Sequence, residues 1–271
     1  MTADGLGLLL VRGALRSPFK RPSPEAGFPR TRLVRPGVRV DQDRLAAYER
    51  VCGFPTDHGD LPVTYPHVLG FPLTMRLMTE RSFPLPLLGL VHTSIEITRH
   101  VPLPASAEYE LDVHIEGLAP HRRGTEVTVA TGVRAAGEVV WESRSTYLAR
   151  HRTGSRTAPG PAHESTPLPV VAEWRPAGDI GRRYAAVSGD RNPIHLSPLT
   201  ARLFGFPRAI AHGMWTAARC LAAAGSGGTR VRIRFLAPVL LPGTVTYGTD
   251  GSGRFELRGT DGRLHLSGET S

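Results

Sequence analysis

Cysteine is almost absent from this sequence, since Cys52 and Cys220 are the only two among 271 residues. Both stand among apolar residues in segments that we expect to be helical. Two buried thiols in a chain of this size indicate a reducing, cytoplasmic environment rather than a disulfide framework. Neither cysteine has a histidine beside it in the sequence, which argues against a catalytic thiolate.

Long apolar runs are also missing, and no segment is long enough to span a bilayer. The stretch GLGLLLVRGAL at residues 5–15 comes nearest to a secretion signal. Asp4 precedes it where a signal has basic residues, and Arg12 interrupts it, so we interpret it as an amphipathic N-terminal extension. The composition, with 40% hydrophobic and 21% charged residues, is that of a globular protein.

Lysine is reduced to Lys20 alone, although the chain carries a net charge of +9 and an isoelectric point near 10.5. The 32 arginines are scattered, without a basic helix or an alternation of basic and aromatic residues, which argues against nucleic acid as a partner. Two interpretations of the charge stay open. It is a generally basic surface, or it attracts a phosphorylated ligand or an acidic carrier protein.

Residues 150–170 lack apolar periodicity and are rich in Pro, Ser, Thr and Gly, a composition typical of a linker. Identical residues recur across this linker at a constant spacing. Asp43, Tyr48, Val51, Gly53, Ile97 and Pro102 recur 136 positions later as Asp179, Tyr184, Val187, Gly189, Ile233 and Pro238. The tripeptide GFP at 70–72 recurs 135 positions later at 205–207. The shared spacing indicates two structurally equivalent halves.

Both halves begin with a short helix and continue with a longer one. In the second half Asp179 is a candidate N-cap, Ile180, Tyr184 and Val187 share one helical face, and Gly189 ends the helix. A loop is expected to follow. The segment AHGMWTAARCLAAAG is then apolar nearly all round, so it predicts a buried helix.

Strand-like runs separated by turn residues follow each long helix. In the first half these are HTSIEITRHVPL, AEYELDVHIEGLAP, GTEVTVATGVRAAG and EVVWESRSTYLAR, and in the second RVRIRFLAPVL, GTVTYGTD, GRFELRG and GRLHLSGE. Such runs are typical of an antiparallel sheet. A buried helix followed by a sheet of about five strands predicts an α+β fold in which a sheet wraps around a helix.

The most chemically informative segment is SGDRNPIH, residues 188–195. Pro193 fixes its own φ and favours an extended conformation at Asn192, so the loop is stiff. A turn would bring Asp190 and His195 onto one small volume, where a carboxylate and a neutral imidazole can hold a single water. Proton transfer by a positioned pair contributes roughly 10²–10⁴-fold in rate.

Two other interpretations of this segment stay open. Asp and Asn favour turns because their side chains bond local backbone amides. Asp190, Asn192 and His195 are also possible metal ligands, with His212 the only further ligand at a suitable spacing. Hard-cation sites usually need more oxygen ligands than this segment offers, and we therefore predict no metal.

His212 and Gly213 stand where the second buried helix is expected to begin. The first amides of a helix have no internal partner, and the helix dipole makes that end positive. Because Gly213 lacks a Cβ, a substrate oxygen could approach its N–H closely, as an oxyanion requires. Close packing at a helix start is an equally good explanation of this glycine.

These residues resemble a known signature. YAAVSGDRNPIH followed by LFGFPRAIAHGM is similar to the motif of the MaoC-like, (R)-specific enoyl-thioester hydratases, also called hydratase 2. LPVTYPHVLGFPLTMRLM, GLVHTSIEITRHVPL and PHRRGTEV resemble bacterial double-domain 3-hydroxyacyl-thioester dehydratases of that family. The resemblance covers residues 35–271 and implies a double hot-dog fold, in which two helix-in-sheet halves pair as a pseudo-dimer. We accordingly divide the chain into an N-terminal extension (1–34), a degenerate half (35–149), a linker (150–170) and a catalytic half (171–271).

The resemblance also implies the chemistry, which is reversible addition of water to a trans-2-enoyl thioester to give the (R)-3-hydroxyacyl thioester. It assigns water activation to Asp190 and His195 and the amide for the thioester carbonyl to Gly213. Asn192 and His212 support the loop or contact the ligand. No metal or redox cofactor is implied, because the substrate is carried on CoA or phosphopantetheine.

The two halves differ at the site. The 136-residue spacing places Phe54 opposite Asp190 and Gly59 opposite His195, and the nearby Asp57 and His58 lack the required order. We therefore expect one active site per chain, with the first half supplying pocket walls and space for a longer acyl chain. The arginines of HRRG, Arg122 and Arg123, either meet carrier phosphates or form a solvated hairpin turn.

The expected protein is a cytoplasmic hydratase/dehydratase of fatty-acid or polyketide type, a monomer or homodimer, acting on acyl-CoA or acyl carrier protein substrates. A non-catalytic acyl-binding hot-dog subunit is an alternative, but it has no need of both Asp190 and His195. A hot-dog thioesterase is another, but such enzymes use a carboxylate without the Asn-Pro-His turn.

Overall fold

The computed structural model describes residues 20–56, 59–87, 89–153, 166–225 and 228–271. The segment 5–15, the pair Asp57 and His58, and residues 154–165 of the predicted linker lie outside the described residues. Within the described ranges, no helix is both long and apolar enough to cross a membrane.

Ten strands and six helices make up the described part of the chain. In order they are β1 (Leu33–Arg39), α1 (Gln42–Cys52), α2 (Tyr65–Met78), β2 (Leu90–Arg99), β3 (Glu108–His121), β4 (Gly124–Ala135), β5 (Glu138–Arg150), β6 (Val170–Trp174), α3 (Ile180–Ser188), α4 (Pro193–Leu196), α5 (Pro198–Leu203), α6 (Gly213–Ala224), β7 (Arg230–Phe235), β8 (Val245–Thr249), β9 (Arg254–Gly259) and β10 (Leu264–Thr270).

The strands form one antiparallel sheet in the order β1-β3-β4-β5-β2-β7-β10-β9-β8-β6. Each half contributes five strands in the same relative order, and β2 pairs with β7 at the junction. Glu96 of β2 lies opposite Arg232 of β7, and these positions are 136 residues apart. A pseudo-two-fold axis therefore passes through this pair and relates the two halves.

The two long helices are packed on the sheet by their apolar surfaces. Helix α2 packs against β3 and β4, and α6 packs against β9. Trp141 donates its indole N–H to the Val63 carbonyl at 2.9 Å, and Trp215 of α6 donates to the Val51 carbonyl at 2.9 Å. Such bonds satisfy the indole N–H of a buried Trp. The predicted α+β class, with a helix on each half of an antiparallel sheet, is confirmed.

The short helices α1 and α3 are equivalent, as the repeat predicts. Both end at a glycine in the left-handed region, Gly53 with φ 79° and Gly189 with φ 81°, a conformation that glycine adopts without steric cost. Tyr48 and Tyr184 are buried with ring centroids 6.1 Å apart.

The two cysteines lie where the sequence predicts them. Cys52 is in α1 and Cys220 in α6, and both are buried with free thiols. Burial strongly raises the pKa of both thiols, so neither is ionised at neutral pH. Thiols in this state are inert rather than catalytic.

Several expectations are wrong in detail. Asp179 occupies the N-cap position of α3 but makes no capping bond, because its ψ of −4° is helical rather than extended. The tripeptide GFP lies inside α2 in the first half but after α5 in the second, so that match is not structural. The loop expected after α3 contains the short helices α4 and α5.

The sequence interpretation missed the two edge strands, β1 and β6. Pro36 and Gly37 interrupt β1, whose register with β3 shifts between Arg35 and Val38. Strand β6 begins at Val170, the last residue assigned to the linker. Edge strands tolerate such residues because one side of the strand is unpaired. One sheet runs continuously across both halves, and the division of the chain into domains stays a prediction.

Candidate active site

A cavity of about 620 Å³ is lined by residues of both halves. The second half contributes Asp190, Asn192, His195, His212 and Gly213, all of which the sequence singled out. The structure thus brings every predicted site residue to one cavity.

Asp190 is positioned by the end of α3. Gly189 turns the chain in the left-handed region, and Asp190 follows it directly. One carboxylate oxygen, Oδ1, accepts the backbone N–H of Asn192 at 3.1 Å, which is the turn chemistry considered for this residue. The other oxygen, Oδ2, lies 3.9 Å from His212 Nε2. The turn and the catalytic interpretations are therefore compatible, since each uses a different oxygen.

His195 lies in α4 and is 8% exposed. Its Nδ1 is 2.8 Å from the Ile210 carbonyl oxygen. Because a carbonyl only accepts, Nδ1 carries the proton and Nε2 keeps a free lone pair. Burial lowers the pKa of His195, while the Asp190 charge and the Ile210 carbonyl oppose that shift. The ring is consequently neutral at pH 7, with Nε2 able to accept a proton.

His212 holds the catalytic loop against α6. Its Nε2 donates to the backbone carbonyl of Asp190 at 2.9 Å, and its ring stacks on that of His195 with centroids 3.7 Å apart. Burial lowers the pKa of His212 well below its ordinary value, and the neighbouring His195 lowers it further. A neutral His212 therefore fixes both the backbone of Asp190 and the plane of the His195 ring.

Asn192 and Pro193 start α4. The Asn192 side chain accepts the Ile194 N–H at 3.4 Å, and Pro193 occupies the first helical turn, where a missing N–H costs nothing. Asn192 therefore supports the loop that carries Asp190 and His195.

Gly213 is the first residue of α6, so its amide has no partner inside the helix. A Cβ at this position would lie 3.2 Å from Cδ1 of Phe235, which is tight but not prohibitive. The glycine therefore serves close packing and also leaves a helix N-terminus open to the cavity.

Ligand atoms of Asp190, His195 and His212 all lie within 4.8 Å of one another, a spacing that could hold a metal ion. Two of the four ring nitrogens are already committed to the backbone carbonyls of Ile210 and Asp190. The expectation of no metal stays a prediction.

The first half lines the cavity, as the sequence predicts, but the sequence interpretation missed which polar residues it contributes. His67 of α2, His92 of β2 and Tyr147 of β5 line it, together with Tyr184 of α3. The Tyr184 ring lies 4.9 Å from that of His212. His67 and His92 occur in segments that resemble the family, but no spacing in the sequence connects either one to Asp190.

Arg122 and Arg123 form the turn between β3 and β4 and also line the cavity. The backbone carbonyl of Arg122 accepts from the Thr153 hydroxyl at 3.1 Å, and that of Arg123 from the His151 N–H at 3.0 Å. Arg122 and Arg123 thus lie in a hairpin turn that is held in place at the cavity, and their contact with carrier phosphates stays a prediction. The lining includes three more exposed arginines, Arg150, Arg191 and Arg234.

Comparison with known proteins identifies similar chains. Residues 167–262 match the family model described as MaoC like domain. The chain is 40% identical over 224 residues to 3-hydroxyacyl-thioester dehydratase X of Mycobacterium tuberculosis, covering 80% of each chain. It is 29% identical over 143 residues to peroxisomal enoyl-CoA hydratase 2 of Arabidopsis thaliana, covering 47% of this chain and 46% of that protein.

A crystal structure of HtdX from Mycobacterium tuberculosis superimposes with a TM-score of 0.77 and 35% identity. The match covers 88% of this chain and 98% of that one. The likeness extends over both halves, and it confirms the double hot-dog fold.

Proposed function

We propose, from the premise that this chain belongs to the MaoC-like family of 3-hydroxyacyl-thioester dehydratases, that it reversibly hydrates trans-2-enoyl thioesters. The reverse reaction dehydrates (R)-3-hydroxyacyl thioesters. The observation that carries the proposal is the convergence of Asp190 and a neutral His195 in one cavity.

Asp190 and His195 share the work on water. Oδ2 of Asp190 orients the water, and Nε2 of His195 takes one of its protons as the oxygen adds to C3. The imidazolium then gives a proton to C2, so the enzyme ends in its starting state. The Asp190 charge favours the transient imidazolium, as its effect on the pKa of His195 indicates. The elements of water add across the C2–C3 double bond with no external oxidant or reductant, and the proposal assigns no step to a metal or redox cofactor.

Gly213 acts on the thioester carbonyl. As water adds to C3, negative charge develops on the carbonyl oxygen and forms an enolate. The amide of Gly213 and the positive end of the α6 dipole stabilise that charge. His212 and Asn192 hold the loop that carries the water-binding pair.

The carrier end of the substrate is assigned to the arginine-lined part of the cavity. Arg122, Arg123, Arg150, Arg191 and Arg234 form no ion pair with a carboxylate among the described residues, and Glu126 and Asp190 are the acidic side chains that line the cavity with them. Unpaired guanidinium groups bind phosphate well. A phosphate-bearing carrier, either CoA or the phosphopantetheine arm of a carrier protein, fits this charge.

The acyl end is assigned to the first half. Its apolar lining consists of Val68, Phe71, Met75, Met78, Leu87, Leu90, Val91 and Leu148. These apolar side chains suit an acyl chain longer than four carbons. The free thiols of Cys52 and Cys220 fit a cytoplasmic enzyme. The proposed enzyme acts as a monomer or a homodimer.

The test is a direct assay of the purified chain. Enoyl-CoA substrates of four, eight and twelve carbons are followed by the enoyl absorbance and, in parallel, by a thiol reagent. We expect absorbance to fall without thiol release, and faster for the longer chains. Thiol release would identify a thioesterase instead, no change with any chain length would leave an acyl-binding subunit, and a strict preference for four carbons would contradict the assigned acyl space.

A further inference from the structure

Three ring side chains of the first half form a group that the proposed reaction does not use. His67, His92 and Tyr147 line the cavity and lie against one another. The His67 and His92 rings have centroids 5.9 Å apart at 13°, and those of His92 and Tyr147 lie 4.5 Å apart at 18°. They are polar groups in the half that also lines the cavity with apolar residues such as Val68, Phe71 and Leu90.

These rings are uncharged at neutral pH. Burial lowers the pKa of His67 to about 4 and that of His92 well below its ordinary value, and burial raises the pKa of Tyr147. A neutral imidazole has one donor and one acceptor, and a phenol can serve as either. The group can therefore give and receive hydrogen bonds but cannot neutralise a buried charge.

One of these polar atoms has no partner. Nε2 of His92 is buried and forms no hydrogen bond within the described part of the chain. His67 is 8% exposed, and no hydrogen bond joins its ring to another described residue. Leaving a buried polar atom unpaired is unfavourable, because the atom loses its hydrogen bonds to water and gains none in return. The cost is recovered if a ligand supplies the missing partner.

The group lies beside the reacting centre. The His92 ring is 4.9 Å from that of Phe235, and Phe235 is the residue against which a Cβ at position 213 would pack. On its other side, His67 is close enough to Asp190 for the carboxylate charge to affect its pKa. The group therefore lies near Gly213, whose amide is assigned to the thioester carbonyl, and near Asp190 of the water-binding pair.

The same group is the start of the acyl space. His67, Phe71, Met75 and Met78 all line the cavity, and their spacing places them along one face of α2. An acyl chain that leaves the reacting carbons toward the apolar wall passes His67 before it meets Phe71.

We propose that His67, His92 and Tyr147 form a polar subsite that hydrogen-bonds an uncharged oxygen, a hydroxyl or a carbonyl, on the acyl chain beyond the reacting carbons. The inference rests on the proposed function and narrows its substrate class to oxygen-bearing acyl thioesters. A charged substituent is excluded because neutral rings do not offset the cost of burying it.

The experiment compares matched trans-2-enoyl-CoA substrates of eight carbons. One has a plain tail, and the others carry a hydroxyl or keto oxygen at C5, C6 or C7. We expect one oxygen position to raise kcat/KM by about tenfold or more over the plain chain, since a site built to hydrogen-bond a group rejects the analogue that lacks it.

Variants assign the preference to residues. His67→Phe and His92→Phe keep a ring but remove its hydrogen-bonding atoms, so each should bring the ratio of the two kcat/KM values close to one. His67→Gln restores a donor and an acceptor and should recover part of the ratio. The control is Phe71→Leu in the apolar wall, which should change kcat/KM for both substrates by the same factor.

The outcomes separate the two proposals. If no enoyl thioester is hydrated at all, the proposed function fails. If plain chains are hydrated and no oxygen position is preferred by the unmodified protein, the subsite alone is refuted. A preference that persists unchanged in both folded Phe variants would also refute it, with folding checked by the thermal transition of each variant.

Discussion

At the scale of single residues, each side chain of the water-binding pair is fixed by one local bond. Oδ1 of Asp190 accepts the Asn192 N–H, which leaves Oδ2 for the water. Nδ1 of His195 donates to the Ile210 carbonyl, which leaves Nε2 for the water. The bonds that argue for a plain turn or a satisfied buried histidine are the same bonds that aim the free atoms. Pre-organisation of this kind is what positioned acid–base groups need.

Replacing either member of the pair should strongly reduce turnover without unfolding the protein. We expect Asp190→Asn and His195→Ala each to lower kcat by roughly 10²–10⁴-fold, because each removes a group that handles the water. Steady-state hydration of an enoyl-CoA measures the loss, and circular dichroism checks the fold. Near-normal turnover by either folded variant would refute the assigned role.

Gly213 permits a test that deletes one N–H. Gly213→Pro fits the first helical position, and His212, with φ −63° and ψ 136°, already has the conformation required before proline. We expect kcat to fall by about 10²–10³-fold because the oxyanion donor is lost. Gly213→Ala is the matched control, since it keeps the N–H while adding a Cβ against Phe235. Equal losses in the two variants would mean that packing, not the amide, is responsible.

At the scale of elements, the catalytic loop depends on close contact between α3 and α4. A Cβ at Gly181 of α3 would overlap the backbone carbonyl oxygen of His195 in α4. The backbone of His195 itself contacts Gly181, so the packing of α3 against α4 fixes the position of His195. The position of the general base is therefore a matter of helix packing as well as of the motif.

Gly181→Ala should separate α3 from α4. We expect a loss of about 1–3 kcal/mol in the free energy of unfolding, as in other overpacked sites, together with a fall in kcat. The control is Gly178→Ala, whose Cβ would make only an ordinary contact of 3.6 Å with Pro242. Denaturant unfolding and hydration kinetics measure both effects, and full activity in Gly181→Ala would contradict the assigned role of this contact.

The β3–β4 hairpin places two arginine charges at the cavity. Removing these charges should weaken binding of the carrier end of the substrate. We expect Arg122→Ala/Arg123→Ala to raise KM for an enoyl-CoA while changing KM little for the matching enoyl-pantetheine, which has no phosphate. The difference should shrink at high salt because exposed charges are screened. Arg35→Ala, an exposed arginine of β1, is the control. Equal effects on both substrates would remove the phosphate assignment.

At the scale of the whole molecule, the pairing of two halves creates a core and cavity with several buried neutral histidines. Burial lowers the pKa of His67, His92, His195 and His212, with His67 at about 4. The unfolded chain, with ordinary histidine pKa values near 6.5, therefore binds more protons than the folded chain does at mildly acidic pH. The stability that these buried neutral histidines contribute is therefore fully present above about pH 6.5. It is lost as the pH falls toward 4.

Acid should unfold this protein early. For His67 alone, the shift from 6.5 to about 4 corresponds to about 3 kcal/mol lost by the time the pH has fallen below 4. Denaturant unfolding at pH 8, 6, 5 and 4 measures the slope, and His67→Phe should make it shallower. A free energy of unfolding that is constant between pH 7 and 4.5 would contradict the buried neutral state of these rings.

Local features of the protein follow from its sequence alone. The alternation of β2 to β5, the helix stops at Gly53 and Gly189, and the stiff turn around Pro193 all depend on residues adjacent in the chain, so their periods and turn chemistry are legible without a structure. The order of Asp190, Asn192 and His195 is local in the same sense.

Tertiary structure decided what lies around that turn. The pairing of β2 with β7 joins the two five-stranded halves into one sheet. Only through this pairing do His67, His92 and the Arg122–Arg123 hairpin reach the cavity of Asp190. The edge strands β1 and β6 also needed it, because the neighbouring strands supply their hydrogen bonds and their own patterns are broken or short. Contacts across a hundred residues depend on which surfaces pack together, and no sequence period records that.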